Sequence, residues 1–207
     1  MSSRKLLTIG VTGSMGSGKS AVCKHLSTSG YEVFAADEEA KRLMEHDESV
    51  KTKIIEQFGQ VSYLSDGTLD TKYLAEVVFS DAHTLKQINN IVHPPVFVSF
   101  QKATEKASIA GKELIIMEAA LIYEVGYESH LDIVLAVDAP AEERIIRVAR
   151  RDNITREAIL NRMQHQMPSG ELVRKADYVI YNDGTLEDLW QKTDAVWNQI
   201  RAEHRVV

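Results

Sequence analysis

Two kinds of pattern alternate along the chain. Short runs that are apolar almost throughout, Leu6-Leu7-Thr8-Ile9-Gly10-Val11-Thr12, Tyr31-Glu32-Val33-Phe34-Ala35, Leu114-Ile115-Ile116-Met117, Ile133-Val134-Leu135-Ala136-Val137-Asp138 and Tyr178-Val179-Ile180-Tyr181, read as strands. Most are too short for helices and too apolar for a half-exposed sheet, so they predict a parallel sheet covered on both faces. Between them lie amphipathic stretches. Val22 and Leu26 share a face of a helix over 20–29 that Gly30 ends, and Glu38 to Met44 read as helix. A further helix starts near Pro140, another at Thr155, and a last one at Thr185, whose Thr185-Leu186-Glu187-Asp188 resembles a capping box; Leu189, Val196, Trp197 and Ile200 give it an apolar face. The alternation predicts an α/β fold with a parallel sheet of about five strands.

From 50 to 110 the strand pattern lapses. Ile54, Ile55 and Phe58 form one apolar face, Leu74, Val77 and Val78 a second, and Leu85, Ile88, Ile91 and Val92 a third, broken by Gly59 and by the turn Ser65-Asp66-Gly67. This predicts a helical insertion beside the sheet. His93-Pro94-Pro95 is expected to interrupt it, because proline fixes φ and pushes the residue before it away from helical geometry.

The loop between the first strand and the first helix carries chemistry. Gly13-Ser14-Met15-Gly16-Ser17-Gly18-Lys19-Ser20 fits G-x-x-x-x-G-K-[ST] without a gap. Its glycines let main-chain N–H groups turn towards phosphate oxygens, beside a helix N-terminus that favours negative charge. Gly13 to Ala21, that is Gly13, Ser14, Met15, Gly16, Ser17, Gly18, Lys19, Ser20 and Ala21, are the expected ATP-binding residues, with Lys19 reaching the β- and γ-phosphates and Ser20 holding Mg²⁺. The flanks and loop together predict a three-layer P-loop NTPase fold. The loop alone does not separate a kinase from a GTPase or an ATPase; the chain contains no Asn-Lys-x-Asp guanine-reading segment.

Asp37 stands at the carboxyl end of the second strand, the edge where open α/β sheets bind ligands. Just before a helical run it is a natural N-cap, but beside a phosphate loop its carboxylate could take a hydroxyl proton or hold a metal-bound water. Glu118 ends the third strand, either assisting Mg²⁺ through water or hydrogen-bonding behind it. Arg144, Arg147 and Arg151 lie along one helical face, with Arg150 adjacent. Alone this would be a solvated face with Glu143 paired to Arg147; next to the helix carrying Arg156 and Arg162 it reads as a lid that closes over a transferring phosphoryl group. Cys23 has no His or Cys at ligand spacing and reads as a small packed side chain.

Composition narrows the partners. The 207 residues are 44% hydrophobic and 26% charged, with a formal charge of -6, so no global basic field draws in nucleic acid. One cysteine, no apolar run of membrane-spanning length and no signal-peptide core predict a soluble protein of the cytoplasm acting on small molecules.

Five separated stretches together resemble the dephospho-CoA kinase family. Thr12 to Ser20 is similar to its phosphate loop, and Phe34-Ala35-Ala36-Asp37 to its second-strand motif. His93-Pro94 is similar to a step in its coenzyme-binding insertion, and Leu121-Ile122-Tyr123-Glu124 to the segment after its third strand. Arg147 to Asp152 with Gln166, and Ala176 to Ile180 with Asn182 and Gly184, resemble its lid and final strand. Ala35 stands where the family often has Asp, and Ala120 where it often has Pro.

The resemblance implies phosphorylation of the ribose 3′-hydroxyl of dephospho-CoA by ATP with Mg²⁺. Asp37, Lys19, Arg147 and Arg151 would be catalytic, and Asp37, His93, Leu121 and Glu124 would bind the acceptor. It divides a single kinase unit over 1–207 into a nucleotide-binding core (1–49, 111–146 and 176–207), a coenzyme-binding insertion (50–110) and a lid (147–175). A monomer or weak homo-oligomer is expected, with no nucleic-acid or membrane partner. The alternative is a P-loop kinase for another nucleoside or small metabolite.

Overall fold

The structure is a computed structural model and describes residues 6–78 and 82–205. The chain forms two compact units, one of residues 1–35 with 103–207 and one of residues 36–102.

The first unit is built on five parallel strands, β1 (Leu7–Thr12), β2 (Val33–Ala35), β3 (Leu114–Glu118), β4 (Ile133–Asp138) and β5 (Tyr178–Tyr181), in the spatial order β2-β3-β1-β4-β5. The expected sheet is therefore present. β2 begins at Val33 rather than Tyr31, the Tyr31 N–H being spent on the Leu26 carbonyl (3.2 Å) instead of on a strand. Leu7 pairs with Leu114 and Ile9 with Ile133, which puts β1 at the centre and its loop at the middle of the carboxyl edge.

One face of the sheet packs under α1 (Lys19–Thr28) and the last helix (Leu186–His204): Ile9, Val11, Ile116, Leu135 and Ile180 meet Val22, Leu26, Leu189, Trp197 and Ile200, all buried. The last helix starts at the anticipated box, Thr185 accepting from the Asp188 N–H while Asp188 accepts from that of Thr185. Cys23 belongs to this core. Burial first, then the nearby Glu118 carboxylate, push its thiol pKa up, so it is a packed side chain and not a nucleophile. On the other face Gly10 has no room for a side chain, since a Cβ there would lie 2.5 Å from Leu131 Cδ1.

The second unit is helical: α2 (Ala36–His46), α3 (Glu48–Phe58), α4 (Thr71–Val78) and α5 (Ala82–Ile109), the last running on into the first unit. Each predicted apolar face is buried at its centre, through Ile54 and Phe58, Leu74 and Val78, and Ile88 and Val92. Tyr63 and Tyr73 tie the unit together, their hydroxyls donating to the carbonyls of Met44 and Phe58.

One expectation fails here. α5 passes through Pro94 and Pro95 instead of stopping. Each proline leaves a carbonyl four residues earlier without its helical donor, a loss of about 3 kcal/mol or more in an isolated helix. Ile88, Val92, Val96 and Phe100, spaced by fours and all buried, hold the helix through the break. Asp37 stands just past β2 as the second residue of α2, so the N-cap alternative does not apply; the same first turn carries Glu38 and Glu39, where the helix dipole favours carboxylates.

Completing the first unit, α6 (Ala141–Asp152), α7 (Arg156–Met163) and α8 (Ser169–Lys175) fill the span between β4 and β5; Thr155 caps α7 as predicted. Among the described residues no helix is long and apolar enough to cross a membrane.

Candidate functional site

The phosphate loop owes its shape to glycines and to one buried asparagine. Gly16 and Gly18 have φ of 80° and 103°, a region that L side chains avoid, and the Ser17 N–H donates to the Ser14 carbonyl (3.0 Å) to turn the chain. Gly13 packs against the Val137 carbonyl at the end of β4, where a Cβ would stand 2.4 Å from that oxygen. Asn182, just past β5, fills the space over Gly18: its Nδ2 donates to the Ser17 carbonyl (2.8 Å), and its own N–H donates to the Asp138 carbonyl (2.7 Å). Asn182 was not a candidate site residue. It entered the sequence reading only with Gly184, among the residues that resemble the family's final strand.

Lys19 and Ser20, in the first turn of α1, both meet Glu118. Lys19 Nζ donates to Glu118 Oε1 (2.9 Å), and Ser20 Oγ donates to the same oxygen (2.6 Å). Strand register makes this meeting possible, because Glu118 pairs with Val11 at the end of β1 and so stands beside the loop. Lys19 and Glu118 are 12% and 15% exposed, sheltered enough for the pair to be more than a surface contact yet open to a ligand.

Behind the loop stands the arginine helix. Arg147 Nη2 donates to Glu143 (2.7 Å), the i, i+4 pair expected of a solvated face, and also to the Asn182 carbonyl (3.4 Å). Its Nη1 is buried without a hydrogen-bond partner among the described residues. Arg151 instead turns both Nε and Nη2 onto its neighbour Asp152 (2.7 and 2.9 Å), which holds the Asp152 carboxyl below its usual range. Arg156 grips Glu142 with two bonds and so ties α7 to α6.

The segment between α7 and α8 is pinned on three sides. The Met15 N–H donates to Gln166 Oε1 (2.8 Å), the Met167 N–H donates to Glu124 Oε1 (2.7 Å), and the Ser169 hydroxyl donates to Asp138. Leu121 precedes a short turn at Tyr123–Val125 and is half-buried, next to the fully buried Ile122. In the second unit Asp37 and His93 feel each other: burial lowers the His93 imidazole pKa, and the Asp37 carboxylate acts to raise it. The first unit thus gathers Gly13 to Ala21, Glu118, Arg147, Asn182 and Gln166 around one loop, while Asp37 and His93 lie in the second.

A five-stranded parallel sheet in this order, with a glycine-rich loop, a lysine and a serine entering the helix after the central strand, defines a P-loop nucleotide-binding protein. Residues 7–188 match the family model for dephospho-CoA kinase. The dephospho-CoA kinase of Salinibacter ruber is 47% identical over 188 residues, covering 91% of this chain and 94% of that protein. A crystal structure of a Thermus thermophilus protein aligns with a TM-score of 0.77 at 36% identity, over 94% of this chain and 98% of that one. The dephospho-CoA kinase from Campylobacter jejuni aligns at 0.67 and 26%, over 93% and 96%. The chain belongs to the dephospho-CoA kinase family.

Proposed function

We propose that this protein transfers the γ-phosphoryl group of ATP to the ribose 3′-hydroxyl of dephospho-CoA, giving coenzyme A and ADP, the last step of coenzyme A biosynthesis. Family membership across nearly the whole chain carries the reading, and Lys19 and Ser20 on one acidic strand end support it. Phosphoryl transfer has a loose transition state, so its catalysis is mostly positioning and charge neutralisation. Lys19 moves from Glu118 to the β- and γ-phosphates as these enter the loop. Arg147, whose Nη1 makes no hydrogen bond among the described residues, supplies a guanidinium to the transferring phosphoryl group. Arg151 reaches a phosphoryl oxygen only by leaving Asp152, so its role depends on lid movement.

The donor set suits Mg²⁺. Ser20 Oγ and Glu118 Oε1 are hard oxygens 2.6 Å apart, and this ion keeps waters and phosphate oxygens as most of its ligands. Ser20 would bind it directly and Glu118 through water. Held there, Mg²⁺ would supply positive charge against the phosphates. Asp37 orients the acceptor hydroxyl and takes its proton, while His93, Leu121 and Glu124 hold the acceptor. The segments 50–110 and 147–175 serve as acceptor-binding insertion and lid, and the enzyme works in the cytoplasm as a monomer or weak homo-oligomer without nucleic-acid or membrane partners.

An ADP-release assay with dephospho-CoA, adenosine, shikimate and no acceptor tests the reaction. Stimulation by dephospho-CoA alone is expected; stimulation by another acceptor instead makes this a different small-molecule kinase. Asp37→Asn is expected to abolish acceptor phosphorylation with ATP affinity nearly unchanged, and sustained turnover removes Asp37 from the mechanism.

A further inference from the structure

The tip of the phosphate loop is held by α6, α7 and the segment that follows α7, and two independent contacts do it. The first is polar. The main-chain N–H of Met15, at the tip, donates to Gln166 Oε1 across 151 positions of sequence. The second is apolar. α6 and α7 enclose a small cluster of their own, Ile145, Val148 and Ile159, all buried, and the Met15 side chain packs against it together with Ala149, Ile154 and Met163. The next residue leaves no slack: a Cβ on Gly16 would stand 2.5 Å from the Arg144 carbonyl and 2.9 Å from Val148 Cγ2, so the loop's backbone lies directly on α6.

Gln166 cannot shift alone, since Met167 and Ser169 are bonded to Glu124 and Asp138. Met15 is a backbone-held, side-chain-held point on a loop whose remaining N–H groups are the means of gripping phosphate. A flexible residue in the core is tolerated for its adaptability, and here it joins two elements that a lid mechanism would otherwise treat as separate.

We propose that Gln166 is a positioning residue for phosphoryl transfer, setting the tip of the phosphate loop through the Met15 N–H so that lid and loop take up their arrangement together. It touches neither reacting atom. The proposal rests on the kinase reading for its effect on turnover, and on the geometry alone for its effect on the loop. Misplacement of a donor phosphate by a fraction of an ångström lowers turnover on the order of tenfold or more, and an opened loop tip admits water to the γ-phosphate.

The test compares Gln166→Met, which keeps length and bulk but cannot accept the bond, with Gln166→Glu, which still can. Four quantities are read: melting temperature, amide exchange at Met15, affinity for a non-hydrolysable ATP analogue with Mg²⁺, and ADP released per coenzyme A formed. In Q166M we expect faster Met15 exchange, a kcat on the order of tenfold lower at little change in the KM for dephospho-CoA, more ADP per coenzyme A, and a melting temperature within a few degrees of wild type. Q166E should restore Met15 protection towards the wild-type value. Unchanged Met15 exchange and unchanged coupling in Q166M overturn the proposal, as does a loss of activity that merely follows a lower melting temperature. Exchange and analogue binding need no acceptor. If the wild type ignores dephospho-CoA while Q166M still frees the Met15 amide and weakens the analogue, the substrate reading fails and the clamp stands.

Discussion

Gly18→Ala separates a backbone constraint from a packing constraint at one position. Gly18 sits at φ 103° and ψ 11°, where a side chain costs about 1–2 kcal/mol through its own backbone. Independently, its Cβ would lie 2.3 Å from Asn182 Nδ2 and 3.4 Å from Asn182 Cγ. Asn182 is 7% exposed and holds the Ser17 carbonyl, so its amide can retreat only by giving up that bond. A buried carbonyl left unsatisfied costs about 1–3 kcal/mol. The two effects sum to roughly 2–5 kcal/mol, which for a chain of this size lowers the melting temperature by about 4–20 °C. Thermal or urea unfolding of Gly18→Ala, Asn182→Ala and the double variant resolves them. With the amide gone only the backbone effect remains, so Gly18→Ala should cost about 1–2 kcal/mol in the Asn182→Ala background and the pair should couple by about 1–3 kcal/mol. Strict additivity would show that Asn182 does not confine this glycine.

Two further outcomes can be checked. Burial gives His93 a folded pKa below the ordinary 6.5, so the unfolded chain takes up the proton first. Stability contributed by this residue is intact above about pH 6.5 and is lost as pH falls through the folded value; urea midpoints from pH 7.5 to 5 should decline less steeply in His93→Gln than in wild type. Glu118→Gln keeps an acceptor for Lys19 and Ser20 but removes the charge that suits a hard cation. Steady-state rates against Mg²⁺ at fixed ATP should show a raised metal requirement, and an unchanged Mg²⁺ dependence would take Glu118 out of metal binding.

Much of the frame was legible because its signals are local. All-apolar runs predict buried parallel strands, Thr155 and Thr185 mark helix starts, and the loop letters between β1 and α1 prescribe their own geometry. Local rules misled where distant packing overrode them. Pro94 and Pro95 read as a stop, yet the buried apolar line from Ile88 to Phe100 carries α5 through. Asp37 read as an acid at the end of β2, and it does stand just past that strand, but inside α2, which begins at Ala36. The contacts that shape the loop were hidden for a simpler reason: Asn182 reaches Ser17 across 165 positions and Gln166 reaches Met15 across 151, and no pattern in a short window links them. Glu118 lay between, visible as an acid at a strand end but placed beside Lys19 only by register.

The central position of β1 has a bearing on how the protein is made. Leu7 waits for Leu114 and Ile9 for Ile133, so β1 leaves the ribosome with neither neighbour until residue 114 and beyond have been made. Contacts so distant along the chain form slowly, and an apolar strand with both edges open is a template for wrong pairing meanwhile. Helices α2, α3, α4 and the start of α5 emerge in that interval, within a compact unit of their own. Chains stopped before β3 should therefore show helix without nucleotide binding and should aggregate through residues 7–12, making the arrival of β3 and β4 the event that converts an association-prone segment into the floor of a binding loop.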